Sequence, residues 1–111
     1  MANTKDNKTQ EENTDLSWMK ESMSEIVYLL TKNQDQKLTA DFFNCMFTPS
    51  EMKDFASRWQ LVKELDKGTT QREIAKKYGM SLCKITRGSR ELKKDESAFR
   101  RLLEMLANSS N

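Results

Sequence analysis

The sequence contains no histidine, and only two cysteines, one proline and three glycines occur among its 111 residues. Without histidine, the chain lacks the commonest general base and can form no Ser-His or Cys-His nucleophile. A structural zinc site of the usual type needs four Cys or His ligands, which two cysteines cannot supply. These absences argue against an enzyme and against a bound metal.

Long apolar runs are also absent. No segment is therefore expected to cross a membrane, and the N-terminus lacks the apolar stretch of a secretion signal, so we expect a cytoplasmic protein. Hydrophobic residues make up 36% of the chain and charged residues 32%. A domain of this size with so few apolar residues is marginal on its own, which favours oligomerisation.

Charge is unevenly distributed along the chain. Residues 67–101 contain eleven basic and four acidic residues, a net charge of +7, whereas the other residues contain eight basic and thirteen acidic ones, a net charge of −5. A basic half of this kind is typical of a protein that binds a polyanion such as nucleic acid. Solvated helix faces with uneven charge would give the same pattern.

The spacing of the apolar residues predicts an all-α protein, and the scarcity of glycine and proline argues against a sheet. We expect a disordered N-terminal arm over residues 1–14, one helical domain over residues 15–107 and a C-terminal tail over residues 108–111. The first two helices are predicted over about residues 15–32 and 38–46. A third begins at the capping box Thr48-Pro49-Ser50-Glu51 and runs to about Lys67.

A helix-turn-helix is predicted over about residues 70–93. A capping box at Thr70 begins a short first helix, Gly79 can adopt the positive φ that a sharp turn needs, and Ser81 can cap the second helix. The outer face of that second helix is small, polar and basic, as a helix in the DNA major groove requires. An ordinary helical hairpin would show similar capping and packing.

Gly88 lies inside the second of these helices. A glycine there costs about 1 kcal/mol relative to alanine, so something should compensate for it. Either a neighbouring backbone passes close to Gly88 or a ligand lies against the helix, and the sequence leaves both explanations open.

Three segments resemble the tryptophan repressor family in residues, order and spacing: Met46-Phe47-Thr48-Pro49, Gly68-Thr69-Thr70-Gln71-Arg72-Glu73-Ile74 and Ile85-Thr86-Arg87-Gly88-Ser89. Weaker similarity extends from Asp15 to Leu106. The resemblance implies a six-helix, intertwined homodimer with a helix-turn-helix, double-stranded operator DNA as the partner and L-tryptophan as the corepressor. It implies no metal.

The resemblance also implies site residues. The indole of tryptophan is expected between the side chains of Arg58 and Arg87, and Arg87 is expected to bind the carboxylate as well. The other positions implied for the tryptophan slot are Thr48, Val62, Gly88 and Glu91, with Cys45 and Phe47 lent by the partner chain. The positions expected to meet DNA are Gln71, Arg72, Leu82, Cys83, Lys84, Thr86 and Arg90.

The function implied is L-tryptophan-dependent repression of genes for tryptophan biosynthesis or acquisition. Two other functions also fit the residues: a ligand-independent helix-turn-helix regulator, and a dimeric helical adaptor that binds an acidic protein through the basic half. Tryptophan binding distinguishes the tryptophan-dependent repressor from the ligand-independent regulator. Sequence-specific DNA binding distinguishes both of these from the helical adaptor.

Overall fold

A computed structural model describes residues 4–109, with side chains from residue 16 onward. This part of the chain consists of helices and contains no strand, so the all-α prediction is confirmed. The six helices of the described residues are α1 (Thr4–Lys32), α2 (Gln36–Met46), α3 (Pro49–Asp66), α4 (Gln71–Tyr78), α5 (Leu82–Lys93) and α6 (Ala98–Ser109).

The two ends of the chain differ from the sequence prediction. Helix α1 begins at Thr4, so the expected disordered arm is helical over the part that the structure describes. Extending an existing helix requires no new nucleation, which offsets the weak helix propensity of the threonines and asparagines in this segment. At the other end, α6 continues to Ser109 into the expected tail. Residues 1–3 and 110–111 lie outside the described residues.

Helix starts are fixed by side-chain caps. The Thr48 hydroxyl accepts a hydrogen bond from the Glu51 N–H at 3.2 Å, and the Glu51 carboxylate accepts one from the Thr48 N–H at 2.9 Å. The predicted capping box of α3 is therefore confirmed. Helix α2 begins two residues earlier than expected because the Asp35 carboxylate accepts from the Lys37 N–H at 3.0 Å.

The chain divides into two compact units, one containing α1 and α2 and the other containing α3 to α6. In the second unit, α3 packs against α4 and α5, and α5 packs against α6. Its core is formed by Leu61, Ile74 and Ile85, each at most 2% exposed. Burying an aliphatic side chain of this size contributes about 1.5–3 kcal/mol, so these three residues hold α4 and α5 on α3.

The α1–α2 unit buries little apolar surface. No residue of α2 is buried. On α1, the side chains of Met19, Met23 and Val27 lie on one face at helical spacing, and each is about half exposed or more. This face stays accessible in the single chain.

A candidate ligand site beside the α4–α5 pair

Helices α3 and α5 approach each other closely at Gly88, which is buried. A β-carbon at this position would lie 2.8 Å from Leu61 Cδ2 and 3.4 Å from Leu61 Cγ, and the nearer distance is too short for any real contact. Close packing therefore accounts for a glycine inside α5. The neighbour is a leucine side chain, not the backbone that the sequence analysis considered.

A cavity of about 390 Å³ lies beside this contact. Its walls come from α3, α5 and the first turn of α6. The lining residues are Arg58, Leu61, Val62, Lys84, Arg87, Gly88, Glu91 and Phe99.

The cavity gathers most of the residues that the sequence assigned to the tryptophan slot, namely Arg58, Val62, Arg87, Gly88 and Glu91. On α3, Arg58 precedes Leu61 and Val62 by one helical turn, so the three share a face. On α5, Arg87 and Gly88 precede Glu91 by about one helical turn, so these residues also lie on one side of their helix.

Three assigned residues do not line this cavity. Thr48 is engaged in capping α3, and the ring of Phe47 stacks on that of Phe55, with 5.4 Å between the ring centroids. Cys45 lies in α2, in the other unit. Cys45 and Phe47 were assigned to a partner chain, so their roles stay predictions.

Lys84 lines the cavity, although the sequence analysis assigned it to the DNA-facing surface. It precedes Arg87 by three residues, Gly88 by four and Glu91 by seven, which is the spacing of one helix face. The spacing of Lys84 from the other cavity residues of α5 could therefore have been recognised in the sequence. Leu61 and Phe99 were missed for another reason: their place in the cavity depends on how α3, α5 and α6 pack.

The charges around the cavity are mainly positive. Arg58, Lys84 and Arg87 supply three cations and Glu91 one carboxylate. That carboxylate is paired with Lys94, whose Nζ donates to Glu91 Oε1 at 2.9 Å. The hydrogen bond from Lys94, together with the charges of Lys94, Arg87 and Arg90, lowers the pKa of Glu91, so this residue is ionised at neutral pH.

A buried polar cluster joins α3 to α4. The Glu64 carboxylate accepts hydrogen bonds from Thr69 Oγ1 at 2.7 Å and from the Tyr78 hydroxyl at 3.0 Å. The Gln60 amide donates to the Tyr78 hydroxyl at 3.1 Å and to Glu64 at 3.3 Å. The bonds from Thr69 and Tyr78 lower the pKa of Glu64 despite its burial, so the cluster contains a carboxylate anion.

The connection between α4 and α5 has the geometry that the sequence predicted. Gly79 ends α4 with φ of 64°, in the left-handed region that glycine adopts without strain. The Ser81 hydroxyl then accepts from the Lys84 N–H at 3.3 Å and caps α5. Two short helices thus meet at a sharp turn and are fixed to α3 by Ile74 and Ile85.

The basic residues of this region are accessible. All eleven lysines and arginines between residues 67 and 101 are exposed. Among the residues assigned to DNA, Gln71 and Arg72 lie at the N-terminus of α4, and the others lie along α5. All of the assigned residues are exposed: Gln71, Arg72, Leu82, Cys83, Lys84, Thr86 and Arg90.

No helix within residues 4–109 is both long enough and apolar enough to span a membrane. Among residues 16–109, whose side chains the structure describes, no three His, Cys, Asp or Glu side chains come together in a way that could hold a metal ion.

Together, two short basic helices at a glycine turn and an adjoining cationic cavity define a small, all-helical protein with the features of a regulator. Over residues 21–107 the chain matches the family described as Trp repressor protein. The resemblance found in the sequence is therefore confirmed: the chain belongs to the Trp repressor protein family, a family of transcription repressors and not of enzymes.

Relatives from several bacteria agree with this assignment. The Trp operon repressor homolog of Chlamydia trachomatis serovar D is 44% identical over 77 residues, which cover 68% of this chain and 82% of that protein. The homolog of Chlamydia caviae is 40% identical over 79 residues, covering 70% and 78% of the two chains. That of Vibrio vulnificus is 36% identical over 85 residues, covering 72% and 83%. No solved structure matches the chain significantly.

Proposed function

We propose that the protein binds operator DNA as a homodimer and that this repressor requires L-tryptophan as its corepressor. Its targets are genes of tryptophan biosynthesis or acquisition, and it acts in the cytoplasm. One observation carries the proposal: the cavity that combines Arg58 and Arg87 with the buried aliphatic side chains of Leu61 and Val62 adjoins the exposed basic α4–α5 pair.

The cavity suits an indole amino acid. Its volume of about 390 Å³ falls within the range of small-molecule sites, roughly 300–1,000 Å³. Leu61, Val62 and Phe99 offer apolar surface to a ring. Guanidinium groups stack on aromatic faces and also form bidentate bonds with carboxylates, so Arg58 and Arg87 can serve both ends of the ligand. Glu91 is ionised and lies at the same cavity, where an ammonium group can approach it.

The α4–α5 pair is proposed as the helix-turn-helix, with α5 as the helix that enters the major groove. Cys83, Thr86 and Arg90 share its outward face and are exposed, as is Leu82 at its start. At the N-terminus of α4, Gln71 and Arg72 are assigned to backbone phosphates; there the positive end of the helix dipole adds to their attraction.

A second copy of the chain is proposed to cover the apolar side chains of the α1–α2 unit. Met19, Met23 and Val27 lie on one face of α1 and are each about half exposed or more, and no residue of α2 is buried. Contiguous apolar surface of this kind is uncommon on soluble monomers and favours an oligomer. In this homodimer, Cys45 and Phe47 of one chain complete the cavity of the other.

The coupling between ligand and DNA follows from α5, which carries both the cavity wall and the DNA-facing side chains. Contacts to Arg87 and Gly88 act on the same rigid helix that presents Thr86 and Arg90. L-tryptophan favours DNA binding only if it binds the DNA-competent orientation of α5 more tightly than the others. In that orientation the two α5 helices of the dimer match major grooves about 34 Å apart.

Calorimetric titration of L-tryptophan into the wild-type chain and an Arg87→Ala variant tests the ligand site. The wild type should bind one tryptophan per chain. The Arg87→Ala variant should bind at least about tenfold more weakly, because hydrogen bonds to charged groups contribute about 1.5–3 kcal/mol. Arg72→Ala is the matched control, since Arg72 is exposed and lies outside the cavity lining.

A wild-type protein that does not bind L-tryptophan would refute the ligand site. Sequence-specific DNA binding without any response to tryptophan would then select the ligand-independent regulator. Absence of sequence-specific DNA binding would select the helical adaptor.

A further inference from the structure

We propose that Lys84 binds the ligand's carboxylate in the cavity between α3 and α5, beside Arg87, and so makes this site selective for aromatic carboxylates. The inference deepens the proposed function and rests on it. It also reassigns Lys84, which the sequence analysis assigned to the DNA-facing surface.

The direction in which Lys84 leaves α5 supports the reassignment. At 3.6 residues per turn, Cys83, Thr86 and Arg90 fall within about 60° of one another around the helix axis, whereas Lys84 lies about 100–160° away from them. The residues that share a side with Lys84 are Gly88, which contacts Leu61, and Glu91, and both line the cavity. Lys84 therefore belongs to the side of α5 that faces α3.

The charges of the cavity indicate what Lys84 binds. Arg58, Lys84 and Arg87 give the lining three positive charges, against the single negative charge of Glu91, and Glu91 is already paired with Lys94 at 2.9 Å. The excess of positive charge favours an anionic group. The planar guanidinium groups of Arg58 and Arg87 can stack on the indole ring, whereas the ammonium group of Lys84 is a compact charge that cannot stack. Lys84 is therefore the lining cation that remains for the carboxylate.

Lys84 also lies one helical turn from the N-terminus of α5, and its own N–H bonds to the capping hydroxyl of Ser81 at 3.3 Å. Its backbone is therefore fixed at the start of α5. Lys84 and Arg87 lie about one turn apart on α5, and the DNA-facing residue Thr86 lies between them in the sequence. A carboxylate bound by both side chains would therefore contact the turn that carries Thr86. The ligand would thus act on the first turns of α5 directly.

The test is calorimetric titration of L-tryptophan and of tryptamine, which lacks the carboxylate, into four proteins: wild type, Lys84→Met, Lys84→Arg and Lys93→Met. Lys84→Met should weaken tryptophan binding at least about tenfold, the loss expected for one charge-assisted hydrogen bond, and should not weaken tryptamine binding. Lys84→Arg keeps the charge and should lose less tryptophan affinity than Lys84→Met does. Lys93→Met changes the same residue type on α5 outside the cavity lining and should behave as wild type.

The outcomes separate this inference from the proposed function. If the wild type binds tryptophan and Lys84→Met binds it equally well, the assignment of Lys84 fails and the ligand site stands. If Lys84→Met weakens DNA binding alone, Lys84 is a DNA contact and the assignment is likewise wrong. Equal losses for tryptophan and tryptamine would show that Lys84 does not act on the carboxylate. A wild type that binds neither compound overturns both proposals.

Discussion

Gly88 and Leu61 set the distance between α5 and α3, since a β-carbon at Gly88 would lie 2.8 Å from Leu61 Cδ2. Leu61 is 2% exposed and belongs to the core cluster, and it also lines the cavity. The side chain that would have to shift for a methyl group at Gly88 is therefore part of the proposed ligand site. Packing and the proposed ligand binding would therefore depend on the same contact.

The first prediction concerns Gly88→Ala. The added methyl group must displace the Leu61 side chain, and overpacking costs about 1–3 kcal/mol, whereas alanine gains about 1 kcal/mol of helix propensity. We expect the free energy of unfolding in urea to fall by no more than about 2 kcal/mol and tryptophan affinity to fall at least about tenfold. Ser89→Ala, on the same helix and outside the cavity lining, should change neither quantity appreciably. If Gly88→Ala bound tryptophan as tightly as the wild type, the contact between Gly88 and Leu61 would not shape the ligand site.

The second prediction concerns the buried cluster around Glu64. Tyr78→Phe removes the hydroxyl that donates to Glu64 at 3.0 Å and accepts from Gln60 at 3.1 Å. We expect the free energy of unfolding to fall by about 1–2 kcal/mol, measured by urea denaturation. Tyr28→Phe is the control, since Tyr28 is 61% exposed and should change stability by less than about 0.5 kcal/mol. Equal stability of the two variants would mean that the cluster does not stabilise the α3–α4 contact.

The third prediction is the pH dependence of that cluster. Hydrogen bonds from Thr69 and then Tyr78 hold the pKa of Glu64 below its ordinary value of 4.5. A carboxyl group with a lowered pKa in the folded state stabilises the fold above the unfolded pKa, and this contribution is lost as the pH falls through the folded pKa. Acidification below 4.5 should therefore destabilise the wild type more steeply than Glu64→Gln. Parallel stability curves for the two proteins, measured by urea unfolding at each pH, would contradict the assignment.

The fourth prediction concerns the turn at Gly79. A φ of 64° is strained for residues other than glycine, but a β-carbon at this position would meet nothing within 4 Å. The cost of substitution is therefore one of backbone conformation alone, about 1–2 kcal/mol for alanine. Asparagine tolerates this region better, so Gly79→Asn should be more stable than Gly79→Ala in urea unfolding. The reverse order would show that the turn is not held in the left-handed region.

The sequence predicts those features of the fold that depend on neighbouring residues. The cap at Thr48, the glycine turn at Gly79 and the all-α class follow from local chemistry and periodicity, and the structure confirms them. The start of α1 at Thr4 was not expected, because a polar composition indicates disorder even where a stable helix can continue into it. Local patterns thus predict which elements form better than where they end.

The candidate site could be predicted only in part. Arg58 and Arg87 came from the family resemblance, and the structure brings both to one cavity. The contribution of Phe99 and the bonds between Glu64 and Tyr78 depend on how separate helices pack, which no local pattern contains. Lys84 is different, since its spacing from Arg87 already indicates the cavity side of α5.

The central claim is that a ligand in the α3–α5 cavity controls the affinity of the protein for DNA through α5. The most direct measurement is fluorescence anisotropy of the wild-type protein on a duplex selected from random sequence, with and without saturating L-tryptophan. The account predicts that tryptophan tightens binding at least about tenfold, a coupling of about 1.4 kcal/mol or more, and that Arg87→Ala shows a smaller difference at the tryptophan concentration that just saturates the wild type. Equal affinity of the wild type with and without tryptophan would contradict it.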